Sequence, residues 1–251
     1  MISSVKETIA KLKNDDKYYG EFGKQFLSNS DIGMLLNNPK QFRKPRPESK
    51  PLIEGRYFHT AILEPDKIKN FTLVDCASRN TKLYKEAIEE SGEEMLMLTK
   101  EAEEIDALTK SMTSNFSFYE SIYAEGNEFE TPGIQEIKGH TWKGKCDIIM
   151  PSENVLIDLK TCGKGKLDNW RYSAKMYNYD SQSYIYQIIF GKPLIFYVIE
   201  KETHRLAKYT PSIEFIRGGE QKVERALEVY KQFFAEDSVE NVDNYFISEV
   251  L

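Results

Sequence analysis

The chain has 251 residues, 40% hydrophobic and 29% charged, with 14 Phe, 15 Tyr and 2 Trp, a composition that excludes the disordered and fibrous classes. A formal net charge of −6 argues against non-specific coating of nucleic acid but leaves room for a local basic groove. No stretch reaches the roughly 18 uninterrupted apolar residues of a membrane span: the richest, 184–200, is broken by Gln187, Gly191, Lys192 and Pro193. The first residues carry no apolar leader, so the expectation is a soluble, cytoplasmic protein with no membrane contact.

In chain order, the first 45 residues read as polar helix, with Ser30-Asp31 opening a short apolar turn that Pro39 closes. The run 40–50 is rich in Pro, Lys and Arg and reads as an exposed connection. Residues 52–63 suit a buried helix stopped by Pro65, and 71–74 a strand. Two acidic helices follow at 82–90 and 99–112, with Thr99 as the expected N-cap. The pattern then changes to strands at 128–137, 141–150 and 155–161, separated by Lys138-Gly139 and by 151–154. A helix at 180–190 ends at Gly191. Strands at 193–200 and 205–210 and a long helix at 212–234 complete an α/β layer arrangement. Boundaries predict one domain over 1–251: a helical elaboration at 1–50, a core at 51–235 and a tail at 236–251.

Three cysteines, Cys76, Cys146 and Cys162, lack the spacing of structural zinc or of a four-cysteine cluster and read as free thiols. Chemistry concentrates in the middle of the chain. Asp147 ends one strand and Asp158-Leu159-Lys160 lies on the next; alternation puts Asp158 and Lys160 on one face. On neighbouring antiparallel strands the two acids come together at one end of a hairpin. Paired carboxylates without thiolates suit hard cations, Mg²⁺ or Mn²⁺, and a lysine beside them suits handling of a metal-bound water. The flanks 148–150 and 155–157 are buried-strand sequence, so both acids need partners. Gln182 and Tyr186 share a helix face, with Ile185, Ile188 and Ile189 on the packing side; they are either surface groups or contacts to a phosphate backbone. His59, inside an apolar helix, is either a satisfied core histidine or a metal ligand.

Asp147, then Asp158-Leu159-Lys160, then Gln182-Ser183-Tyr184-Ile185-Tyr186 resembles the PD-(D/E)xK nuclease core followed by the QxxxY motif of its RecB-like branch. The segment Gly55 to Pro65, bearing His59, and the run from Leu27 to Pro39 are similar to those of RecE-type, exonuclease VIII-like enzymes. The resemblance implies a restriction-endonuclease-like core, a central mixed sheet flanked by helices, with a helical N-terminal elaboration. Cys146 stands where a proline often precedes the first acid.

By that resemblance Asp147 and Asp158 hold the metal with the Leu159 carbonyl, and His59 is an extra ligand. Glu136 is either a further acid of the site or a strand-face glutamate. Lys160 activates water and stabilises the phosphorane, while Gln182 and Tyr186 position Lys160 and the strand. Arg56, Lys145, Lys164, Lys166 and Arg171 are candidates for the DNA path. The implied activity is Mg²⁺-dependent 5′-to-3′ digestion of linear double-stranded DNA, leaving 3′ strands for an annealing protein, by a ring-shaped homo-oligomer. The alternatives are a structure-specific or single-strand endonuclease and an inactive DNA-binding module.

Overall fold

Three successive strand-forming runs pair antiparallel and frame the computed structural model, which describes residues 5–238 and 240–246. They are β3 (Glu128–Ile137), β4 (His140–Met150) and β5 (Val155–Cys162), preceded by a two-residue pair, β1 (Leu73–Val74) and β2 (Met97–Leu98). β6 (Leu194–Glu200) runs parallel to β5, and β7 (Leu206–Tyr209) antiparallel to β6, giving a mixed sheet in the order β3-β4-β5-β6-β7. A parallel neighbour requires a crossover, here supplied by α8 (Trp170–Met176) and α9 (Tyr179–Phe190).

The other helices are α1 (Val5–Leu12), α2 (Asp15–Tyr19), α3 (Asn29–Asn37), α4 (Lys50–Leu63), α5 (Lys82–Ser91), α6 (Thr99–Ser114), α7 (Phe116–Ile122) and α10 (Ile213–Phe233). One sheet face packs Trp142, Cys146 and Leu156 against α9, α10 and α3. The opposite face packs Ile148, Ile157 and Leu159 against α4, α6 and α7. A small third cluster, Val74, Tyr84, Leu96 and Leu98, joins α5 to the β1–β2 pair. The expected α/β architecture is therefore present. All three cysteines are free, and no helix among the described residues is long and apolar enough to cross a membrane.

Several local expectations shift. α1, α2, α7 and α8 are short, and none carries enough turns to leave a clear helical period. α7 is started by Asn115, whose side chain accepts the Phe118 N–H (3.3 Å). Ser28, not Ser30, opens α3, in a reciprocal box with Asp31 (2.8 Å from the Ser28 N–H). Thr99 is the first helical residue of α6 rather than its cap; Glu101 closes that end by accepting the Leu98 N–H (3.1 Å). Of the expected tail, residues 239 and 247–251 lie outside the described residues.

What positions the functional region is the close seat of α9. Gly133 and Gly144 face each other across the β3–β4 ladder, leaving a flat spot. A Cβ on Gly144 would stand 2.9 Å from the Tyr186 ring, and one on Gly133 2.5 Å from Ile189. Behind α9, Gly219 of α10 passes so near that a Cβ there would meet the Asp180 carbonyl at 2.1 Å, and Lys222 of the same helix pairs with Asp180 (2.9 Å). Gly144→Val is therefore expected to destabilise by ~1–3 kcal/mol through overpacking, read as a lowered denaturant midpoint.

The α4–α6 side is held by charge. Arg79 forks onto both Glu101 oxygens (2.6 Å each), and Lys50 reaches Glu101 at 3.0 Å. Burial pushes Glu101 up, but Arg79, the Leu98 N–H and Lys50 outweigh it and pull the carboxyl from 4.5 to about 2. Its contribution is full above the unfolded value and is lost as pH falls through about 2. Acid unfolding curves should lose this dependence in Glu101→Gln.

Candidate metal centre

The β4–β5 ladder stops at the pair Ile148↔Ile157. One step further stand Asp147 and Asp158. With the strands parting, Leu159 has no pairing residue on β4, and Asp147 Oδ2 accepts its N–H at 2.7 Å. On its other side Asp147 faces Glu130, at the one step between Glu128↔Ile149 and Ile137↔His140 that the β3–β4 register skips. Glu130 is in the left-handed region (φ 46°), a conformation that costs ~1–3 kcal/mol and persists where the surroundings impose it. The pleat breaks there. Cys146 and Ile149 lie on the α9 side of the sheet, whereas Ile148 and Met150 lie on the α4 side. Alternation has slipped by one at Asp147.

From α4, His59 completes the group. Its Nε2 lies 3.0 Å from the Leu159 carbonyl and its Nδ1 3.5 Å from Asp147 Oδ2. α4 is anchored one turn earlier by Glu54, which pairs with Lys201 (2.5 Å) and Lys50 (3.3 Å). His59, Glu130 and Asp147 bring one donor atom each to within 4.8 Å of one another. Burial lowers the His59 pKa, but Asp147 outweighs it and raises the ring to about 9. Burial and the Asp147 charge lift Glu130 to about 7. Burial likewise pushes Asp147 up, yet His59 holds it below the usual carboxylate range.

Beside this group, Asp158 forms an ion pair with Lys160, and Gln182 Nε2 donates to Asp158 Oδ1 at 2.5 Å. Asp158 Oδ2 faces the ammonium with no hydrogen-bond donor aligned on it. Burial raises Asp158 to about 6 despite Lys160. Burial works against the Lys160 charge, but Asp158 outweighs it, so the ammonium is retained well into alkaline pH. The Tyr186 hydroxyl donates to the Lys145 carbonyl at 3.0 Å, so Gln182 orients Asp158 and Tyr186 anchors the β4 backbone. Ile188, expected on the packing side, is exposed.

Glu136 is exposed and pairs with Thr141 near the hairpin tip; the acid opposite Asp147 is Glu130. The turn explains this. Lys138 and Gly139 both have positive φ (52° and 80°), the signature of a two-residue hairpin, and register counted from Ile137↔His140 brings Glu130 to Asp147. That signal was available in the sequence.

The candidate cations divide. Lys145 lies over the Tyr18 and Tyr19 rings, pairs with Asp15 and stands 3.7 Å from Glu130. Lys166 lines a cleft of about 420 Å³ that opens on His59 and Lys160. Arg56 is exposed and paired with Glu48 (2.5 Å). Lys164 is exposed in the connection after β5, and Arg171 is exposed against the Tyr172 ring.

Carboxylates, an imidazole and a backbone carbonyl form an oxygen-rich donor set suited to Mg²⁺ or Mn²⁺. Burial lifts Glu130 and Asp158, and a divalent ion beside them would favour their charged forms.

A family described as a PDDEXK-like domain of unknown function (DUF3799) matches residues 28–241. Among solved structures, a protein from Eubacterium rectale named as a candidate exonuclease aligns with TM-score 0.63 and 17% identity, over 95% of each chain. A phage-related exonuclease from Haemophilus somnus 129PT aligns with TM-score 0.38 and 15% identity, over 82% of this chain and 94% of the other. At these identities the first likeness speaks to fold, and the second carries no argument. No curated protein matches the chain.

Glu130→Gln and His59→Ala are each expected to weaken Mn²⁺ binding by about tenfold or more. Glu136→Gln should leave it unchanged, with titration calorimetry as the measurement.

Proposed function

The chain belongs to the PDDEXK-like DUF3799 family, and from that premise we propose that it is a metal-dependent deoxyribonuclease hydrolysing phosphodiester bonds. The observation that carries this reading is the convergence of His59, Glu130 and Asp147 on one point with the Asp158–Lys160 pair beside it. Mg²⁺ is the cation proposed, and Mn²⁺ an effective substitute. When bound, it would supply a Lewis acid and lower the pKa of coordinated water.

The residues have separable tasks on this reading. Asp147, Glu130, His59 and the Leu159 carbonyl hold the cation, and Asp158 completes the acidic wall. Lys160, kept cationic by Asp158, stabilises charge developing on the phosphoryl oxygens; in that state it is a charge partner rather than a base. Gln182 fixes the Asp158 carboxylate so that Lys160 keeps one position. Lys145 and Lys166, on opposite sides of the cluster, suit the flanking phosphates.

The finer activity proposed is 5′-to-3′ digestion of linear double-stranded DNA, with the 3′ strand passed to an annealing protein and the duplex enclosed by a ring of copies. Its support is the order of the motifs, which resembles RecE-type enzymes.

Asp158→Ala and Lys160→Ala should each lower cleavage by ~10³-fold or more with circular dichroism unchanged. End-labelled linear duplex beside a covalently closed circle, with Mg²⁺ or chelator, separates the modes. Loss from 5′ ends with the circle spared supports the exonuclease. A cut circle moves the assignment to an endonuclease, and wild-type rates in both variants remove these strands from catalysis.

A further inference from the structure

Four aromatic rings lead from the core to the mouth of the cleft beside the metal centre. Tyr209 stacks on Trp170 (5.7 Å between centroids, 20°), Trp170 lies against Tyr179 (5.5 Å, 32°) and Tyr179 against Tyr177 (5.9 Å, 36°). Three are at least half-buried, whereas Tyr177 is 62% exposed. The Lys160 ammonium lies 4.8 Å from the Tyr179 centroid, so the ring series reaches the group that would contact the scissile phosphate.

The turn that presents the exposed ring is held by hydrogen bonds. Tyr177 and Tyr179 flank Asn178, which is left-handed (φ 59°, ψ 34°), a region that asparagine enters more readily than most residues. The Asn178 carbonyl accepts from Asn29 Nδ2 (3.1 Å) and from the Ser181 hydroxyl (2.9 Å), and Lys222 donates to its side chain (3.0 Å). This turn brings the two rings together although a single residue separates them.

Among the described residues, His59, Lys160, Lys166 and Lys201 line the cleft and no carboxylate does; Asp147, Asp158 and Glu54 pair with three of these cations, and Lys166 is exposed. The cleft on the Glu130 side, by contrast, mixes the acids Asp15, Glu64, Glu128 and Glu130 with Lys13, Lys67 and Lys145. A space of about 420 Å³ has room for one nucleotide. Cations for a phosphate beside an aromatic face for a base are the chemistry of single-strand binding.

We propose that the cleft between α4 and α8 receives one unpaired nucleotide, its base stacked on Tyr177 and its phosphate directed to Lys160. The strand then enters the metal centre single-stranded, whether from a frayed duplex end or from a free single strand. This rests on the nuclease reading above and adds the form of DNA that the centre accepts.

The test is fluorescence titration of a single-stranded oligonucleotide carrying 2-aminopurine, with chelator present so that binding is read without cleavage. The wild-type protein should quench the probe. Tyr177→Ala should abolish the quenching and weaken binding roughly five- to a hundredfold. Tyr177→Phe, which keeps the ring, should behave as wild type. So should Tyr172→Ala, whose tyrosine is similarly exposed on α8 (58%) but does not line the cleft. Quenching unchanged in Tyr177→Ala, or lost equally in Tyr177→Phe, overturns the stacking assignment. Absence of quenching in a wild-type protein that still cleaves linear DNA overturns this inference and leaves the nuclease reading standing. Absence of both binding and cleavage removes both.

Discussion

The hydrogen bond from the Leu159 N–H to Asp147 Oδ2 (2.7 Å) is the contact on which the rest depends. It arises because β4 and β5 part beyond Ile148↔Ile157, leaving a buried backbone donor that needs an acceptor. Meeting that need with a carboxylate places a charge at the rim of an apolar core, and the buried charge then demands partners of its own. His59 meets it from α4 and also reaches the Leu159 carbonyl. Glu130 faces it from β3. One backbone requirement thus draws polar side chains from three elements to a point.

The scaffold holds that point by close packing on one face of the sheet and by ion pairs on the other. Glycines at 133 and 144 let Tyr186 and Ile189 lie directly on the sheet, and Gly219 lets α10 press α9 from behind. Gln182 is carried to Asp158 by the same helix, so its 2.5 Å hydrogen bond is a consequence of how near α9 can approach. On the opposite face, the Glu54–Lys201 pair ties α4 to the end of β6 and so sets the depth of His59. A centre held to a fraction of an ångström needs support of this kind.

Much of this was legible in the sequence. The strand runs, the helix after them and the Asp147, Asp158 and Lys160 placement follow from apolar patterning and the position of turns. The QxxxY spacing placed Gln182 and Tyr186 on one face, and both do face the sheet. What was not legible lies where local periodicity fails. Glu130 was not among the expected residues, and Glu136 was considered as either a site acid or a strand-face glutamate, although the Lys138-Gly139 turn carries the count that brings Glu130 opposite Asp147. The slip in alternation at Asp147 leaves no mark in the residues themselves; it lies opposite the left-handed backbone at Glu130. The short helices α7 and α8 lie below the length at which a period declares itself. With α8 went the Tyr177 ring at the cleft mouth.

The proposal turns on whether the point where His59, Glu130 and Asp147 converge takes a divalent cation. Anomalous diffraction from crystals of the protein grown with Mn²⁺ tests this most directly. The predicted result is a single strong peak within bonding distance of His59, Glu130 and Asp147, with the Leu159 carbonyl turned toward it. Crystals that hold Mn²⁺ elsewhere and leave this cluster bare would contradict the account.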